Sequence, residues 1–200
     1  MPDWTGNHRS IYSTIGASNH TDKEREVDDF YATDPVAIDL LIAAFGGAHI
    51  NSNIWEPACG QGHLSEQLKH HGFKVYSTDL VDRGYGDDHF DFLTSDLRWH
   101  GDIITNPPYK YALPFVQHGL ELVDDGNRVF MFLKLSFLES KVRYPFFRTL
   151  QLEKVLVFAD RIQCAKNGDF DALHTRSAVA FAWFVFKKGY GMYPEIRWIG

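Results

Sequence analysis

Asn106-Pro107-Pro108-Tyr109 places a side-chain carbonyl, a backbone carbonyl and an aromatic face within four residues. The two prolines fix two φ angles and remove two backbone donors, and Pro107 pushes Asn106 toward an extended backbone. A stiff loop of this composition suits a planar group that carries an amine. The Asn106 side chain and the Pro107 carbonyl can each accept an N–H while the Tyr109 ring stacks on the plane. Asp102-Ile103-Ile104-Thr105, just ahead, reads as a strand entering the turn. A proline-rich surface turn would use the same letters, so the chemical reading needs partners elsewhere in the chain.

Glu56-Pro57-Ala58-Cys59-Gly60-Gln61-Gly62 supplies the first partner, between a predicted strand and a predicted helix. In a doubly wound sheet, ligands bind beyond the carboxyl ends of the strands near the switch point, and glycines there let the backbone approach them. Asp79 lies 17 residues after Gly62 and, with Leu80 beside it, ends the next strand; an acid there can accept both hydroxyls of a ribose. A dinucleotide fingerprint would need a third glycine at position 65, which is Ser65. Glu56, acidic and just ahead of the loop, suits a ligand bearing an ammonium group better than a pyrophosphate. These features favour S-adenosylmethionine over a nicotinamide or flavin. Asp91-Phe92-Leu93 precedes the prolyl loop; Asp91 can accept from an adenine amine while Phe92 packs on the ring. A solvated strand end for Glu56, a helix cap for Asp79 and a short capped strand for Asp91 are the structural alternatives.

The elements that must carry these residues alternate. Asp34 is a candidate N-cap with Pro35 at the first helical position, and the helix runs from Val36 to Phe45 before Gly46-Gly47. Asn53–Glu56 reads as a buried strand, Gly62 to His71 as a helix with Leu64 and Leu68 four apart, and Phe73–Thr78 as a second strand. Further expectations are a helix over 112–123, a strand at Arg128–Leu133, a helix over 139–149, a strand at Lys154–Phe158 and a long aromatic strand from Ser177 to Phe186. Strands alternating with helices through short connections predict an α/β fold with a mostly parallel sheet.

With 200 residues and 44% hydrophobic composition, the chain is expected to form one domain over 29–200, preceded by a polar arm over 1–28 without a core of its own. No apolar run is long enough to span a bilayer and the N-terminus lacks an apolar signal core. Cys59 and Cys164 show no paired spacing, which fits reduced thiols in a cytoplasmic protein. The ten histidines are scattered, so no metal is expected. A net charge of −6 means that a nucleic-acid partner would need a local basic patch or a second subunit.

In order and content these segments resemble S-adenosylmethionine-dependent amino-methyltransferases acting on DNA bases, most closely the adenine-N6 type of bacteria and their phages. Asp29-Phe30-Tyr31-Ala32-Thr33-Asp34-Pro35 comes first, then the glycine loop, Asp79, Asp91-Phe92 and the prolyl loop; the likeness covers about residues 29–187. It implies a Rossmann-like class I methyltransferase with a seven-stranded mixed sheet, flanking helices and an antiparallel final hairpin. It further implies that Asn106, Pro107, Pro108 and Tyr109 are catalytic. The cofactor would be held by Tyr31, Thr33, Glu56, Ala58, Cys59, Gly60, Gly62, Asp79, Leu80, Asp91, Phe92 and Asn106, with Tyr31 and Thr33 near its methionine end. Lys134-Leu135-Ser136-Phe137-Leu138 resembles the strand end beside the target pocket, and the aromatic strand near Phe181 to Phe184 stands where relatives supply a second stacking ring.

Sequence-specific relatives carry a recognition domain or long insertion, for which this chain has no room. The expected partner is therefore DNA at a short or loose site, with a homodimer or a separate specificity subunit as further options. Arg143, Arg148, Arg161, Lys166 and Arg176 are candidate basic contacts. The expected reaction swings the base out of the duplex and displaces the methyl directly, through positioning and aligned dipoles. Cytosine N4, a protein glutamine amide, an RNA guanine amine, and a non-catalytic cofactor-binding or DNA-mimic role are the alternatives.

Overall fold

The computed structural model describes residues 31–166 and 179–200. The 1–28 arm, Arg176 and the expected strand start at Ser177 lie outside them. The elements are β1 (Tyr31–Thr33), α1 (Val36–Phe45), β2 (Asn53–Glu56), α2 (His63–His70), β3 (Lys74–Asp79), β4 (Asp88–His89), β5 (Asp102–Thr105), α3 (Ala112–Leu122), β6 (Arg128–Lys134), α4 (Tyr144–Phe147), β7 (Leu152–Phe158), β8 (Cys164–Lys166), β9 (Phe181–Lys187) and β10 (Glu195–Ile199). None of the described helices is long and apolar enough to cross a membrane.

The main sheet has the order β10-β7-β9-β6-β5-β2-β3-β4. All its neighbours run parallel except β9, which is antiparallel to both β6 and β7. This is the expected mixed, mostly parallel α/β sheet, with eight strands among the described residues where seven were expected. The additional strand, β10, lies parallel to β7 at the edge, and its Ile196 and Trp198 remain exposed. A separate antiparallel pair, β1 with β8, sets Thr33 opposite Cys164.

Both faces of the sheet are covered, so its central strands are apolar on consecutive residues rather than alternate ones. Ile103, Val129, Met131, Leu133, Phe184 and Phe186 join Phe115, Val116 and Leu120 of α3 on one side. Ile104, Phe130, Phe132, Trp183 and Val185 join Ile38 and Leu41 of α1 and Leu64 and Leu68 of α2 on the other. At the start of β5, buried Asp102 accepts from Asn51 N (2.8 Å) and Arg128 N (2.7 Å), tying the approaches to β2 and β6 to the strand between them. The Asp34 side chain accepts from Val36 N (3.0 Å) and Pro35 stands at the cap, one residue before its expected helical position. The helix expected over 139–149 contracts to α4. Pro145 can occupy only a first helical turn, and the Ser140 hydroxyl accepts from Val142 N and Arg143 N, which turns the chain upstream of it.

The connectivity creates a switch point. From β2 the chain builds outward to β3 and β4, then returns to lay β5 on the opposite flank of β2. Trp55 pairs with Ile103 across the two strands. The glycine loop after β2 and the prolyl loop after β5 therefore leave the same sheet edge from adjacent strands, about 5 Å apart.

Candidate functional site

Asn106 emerges from β5 with its amide anchored. Its Nδ2 donates to the Tyr31 carbonyl (3.1 Å) and to Thr33 Oγ1 (2.8 Å), so the β1–β8 pair fixes which way the amide points. Its Oδ1 is buried and has no hydrogen-bond partner among the described residues. The Tyr109 hydroxyl is likewise buried, with the Asn106 amide and the Cys164 thiol beside it and no geometric hydrogen bond among the described residues. Burial, with Cys164 adding, holds the Tyr109 phenol well above its usual range, and burial pushes the Cys164 thiol up to about 11. Thr105 Oγ1, one residue before Asn106, is a third buried polar atom without a partner among the described residues. Native structures leave few such atoms, and three of them fall within these five residues. Pro107 is buried and Pro108 half-buried; the Pro108 carbonyl accepts from Tyr111 N (2.8 Å), which closes the loop as a helical turn.

Around the Tyr109 ring stand Phe181, its ring centroid 6.1 Å away and tilted 32°, and Lys134, whose Nζ lies over the ring 4.9 Å from its centre. Phe181 is backed by Phe132 at 4.9 Å in a near-parallel stack. Phe184, at the other end of the expected second-ring segment, is core on the opposite face of the sheet.

The glycine loop is tied to β3. Asp79 Oδ2 accepts from Gly60 N (2.8 Å) and Oδ1 from Val81 N (3.0 Å); each oxygen retains a lone pair for a further donor. Leu80 next to it is 64% exposed, an apolar surface at the mouth of the loop. Ala58 is partly buried against the core, and Cys59 is buried, its N–H bonded to the Thr78 carbonyl (3.0 Å). Burial, aided by Glu56 and Asp79, pushes the Cys59 thiol up to about 12.

Three expectations change. Glu56 is not a carboxylate facing a ligand. It is 1% exposed, accepts from the Ser65 hydroxyl, and through Ser65 reaches the Ser77 hydroxyl (2.7 Å). Burial pushes its carboxyl up to about 8, opposed by the Ser65 bond and reinforced by Asp79. Phe92 has no free face for a ring ligand. It is 2% exposed, packed edge-on against Trp55 at 5.2 Å and against Phe115 at 4.8 Å, because the turn that begins at Asp91 carries it inward. Asp91 itself caps that turn through Leu93 N (2.9 Å). Among the candidate basic contacts, Arg143 is spent on the carbonyls of Phe137, Ser136 and Glu139, whereas Arg148 and Arg161 are exposed. The Lys166 side chain and Arg176 are outside the described residues.

Tyr85 is the residue that the sequence did not disclose. Gly62 has φ +85°, and a Cβ there would lie 2.4 Å from the Tyr85 ring. The ring is held by its hydroxyl, which donates to Glu66 Oε1 (2.6 Å) and accepts from Lys69 Nζ (2.8 Å). Gly62 thus makes room for a side chain that folds the 80–87 loop back over the glycine loop. The available signal was the pair of glycines flanking Tyr85, but nothing in the sequence says that the two loops meet.

No protein-family model and no curated protein sequence matches the chain. Among solved structures it is similar to a provisionally assigned RNA methyltransferase from Pyrococcus horikoshii, at 16% identity and TM-score 0.55 over 76% of this chain and 83% of that one. It is also similar to a provisionally assigned class I S-adenosylmethionine-dependent methyltransferase from Listeria monocytogenes, at 14% identity and TM-score 0.56 over 94% and 70%. The type IIG restriction endonuclease BpuSI matches at 16% identity and TM-score 0.51 over 70% of this chain, which spans only 22% of that protein. At these identities the likeness establishes the Rossmann-like fold, which hosts many activities.

Two measurements check this geometry. Gly62→Ala should lower stability in urea unfolding by about 2 kcal/mol or more, through the clash and the left-handed backbone. In a Tyr85→Ala background the same Gly62→Ala change should cost only about 1 kcal/mol, the left-handed backbone alone; an equal cost in both backgrounds would mean that the ring does not sit there. The second is pH-linked. With an ordinary carboxyl value of 4.5 raised to about 8, the folded state binds the Glu56 proton more tightly than the unfolded state. Its contribution is complete below about pH 4.5 and is lost as pH rises through 8. The melting temperature of the wild type relative to Glu56→Gln should therefore fall by several degrees across that window and level off above it. A difference independent of pH would contradict the burial.

Proposed function

We propose that the chain transfers a methyl group from S-adenosylmethionine to the N6 amine of adenine in DNA. One observation carries the reading. At the switch point between β2 and β5, an anchored asparagine leaves its acceptor oxygen without a partner among the described residues, one strand away from a glycine loop tied to an acid.

The residues present fit the cofactor. Asp79 keeps lone pairs for ribose hydroxyls, Leu80 offers an apolar face to an adenine ring, and Tyr31 and Thr33 border Asn106. Bound there, S-adenosylmethionine would supply an electrophilic methyl on a sulfonium. The chain's own part is binding and orientation. Asn106 Oδ1 and the Pro107 carbonyl take the two hydrogens of the amine, which draws the nitrogen lone pair out of the ring plane's conjugation. Tyr109 holds that plane by stacking. A base inside a duplex cannot reach such a loop, so it enters flipped out. The methylated amine sheds its surplus proton to water, and no protein base is required; alignment and fixed dipoles carry the rate. Adenine in DNA is favoured by the resemblance of the motifs and their order. An RNA or protein amine would meet the same loop, and the assay separates them.

Genomic DNA from a methylase-deficient host expressing the chain should yield N6-methyladenine on nucleoside analysis, and purified protein should label DNA from methyl-labelled cofactor. Asn106→Ala should lower turnover at least about a hundredfold with cofactor affinity nearly unchanged, and Tyr109→Phe should keep most activity where Tyr109→Ala loses it. N4-methylcytosine, or label only in RNA or protein, would replace the substrate assignment; a chain that neither binds the cofactor nor transfers label would remove the reading altogether.

A further inference from the structure

We infer that Lys134 occupies the stacking face of Tyr109 when no base is bound and moves to a backbone phosphate when one enters, so that a single ammonium both guards the pocket and secures the polymer. This rests on the functional reading above. Lys134 is the last residue of β6, exposed, with its Nζ over the Tyr109 ring at 4.9 Å. Phe181, its partner in the β6–β9 register, packs beside the same ring. The charge therefore sits at the rim of the orphaned Asn106 and Tyr109 polar atoms.

A base stacks at about 3.5 Å from an aromatic face, which leaves no room for an ammonium between them. A neutral ring must displace the ammonium and give up a cation–π contact. A nucleotide in a strand brings a phosphate that compensates the displaced charge. The acidic surface of this chain, net charge −6, makes one such cation at the pocket rim matter more than it would on a basic protein. Arg143, another cation near this strand end, is committed to backbone carbonyls. The arrangement favours adenine within a polymer over free nucleoside.

The opposing effects separate this role from a merely structural one. Lys134→Met keeps the stem and removes the charge; Lys134→Arg keeps the charge. On a DNA duplex, Lys134→Met should lower kcat/KM about tenfold near 100 mM salt, mainly through KM. It should also flatten the log–log salt dependence by about one contact's worth, a slope change near 0.9, and Lys134→Arg should restore both. Free deoxyadenosine, used as a competitor of duplex methylation, should inhibit Lys134→Met at a two- to fivefold lower concentration than the wild type, matching the lost cation–π contact. Deoxyadenosine inhibiting the variant no better than the wild type, or a salt slope unchanged by Lys134→Met, overturns the inference while leaving methyl transfer standing. A wild-type protein that methylates no DNA overturns the functional reading and this inference together.

Discussion

An amide that donates twice can present its oxygen in only one direction. Asn106 Nδ2 is held by the Tyr31 carbonyl and by Thr33 Oγ1, so the side chain cannot flip, and Oδ1 is fixed at the end of β5 as a buried acceptor without a donor among the described residues. Such an atom costs on the order of 1–3 kcal/mol unless something binds it. The rest of the fold can be understood as support for that orientation. Asp102 holds the far end of β5 in register with its neighbours, the two prolines stiffen the exit, and the small β1–β8 pair brings in a segment more than seventy residues away in sequence to grip the amide.

The second half of the site is organised by closure rather than by openness. The glycine loop is pinned to Asp79, roofed by Tyr85 and underlain by the Glu56–Ser65–Ser77 hydrogen-bonded group. Charge is kept away from the interior of this half: Cys59 stays a thiol and Glu56 takes a proton near neutral pH, both because burial disfavours their ionised forms. Asp79 remains presented near the surface, half-buried with unused lone pairs. This differs from a site in which Glu56 and Asp79 act as two exposed carboxylates; under the proposed function the ribose hydroxyls fall to Asp79.

Much of this was legible because the informative residues are local. Asn106 to Tyr109 and Glu56 to Gly62 each describe a turn whose stiffness or freedom is set within a few residues, and the strands leading into them carry their own apolar pattern. What could not be read depended on distant pairing. Tyr31–Thr33 and Cys164–Lys166 are too short to stand out and exist as strands only because they pair with each other. The burial of Glu56 depends on Ser65 and Ser77 arriving from a helix and a neighbouring strand. Phe92 looked like a free ring, yet one short turn points it into the core. Gly62 was read as room for a ligand, whereas the space above it belongs to Tyr85. The edge strand Glu195–Ile199 escaped notice because its exposed Ile196 and Trp198 give it no buried stripe to detect.

The most direct test of the central claim is a crystal of the full chain soaked with S-adenosylhomocysteine. The account requires the ribose on Asp79 and the sulfur beside the Asn106 side chain, with Oδ1 still unflipped and facing the place where the amine would enter. A ligand absent at saturating concentration, or bound away from the ends of β2 and β5, would contradict it.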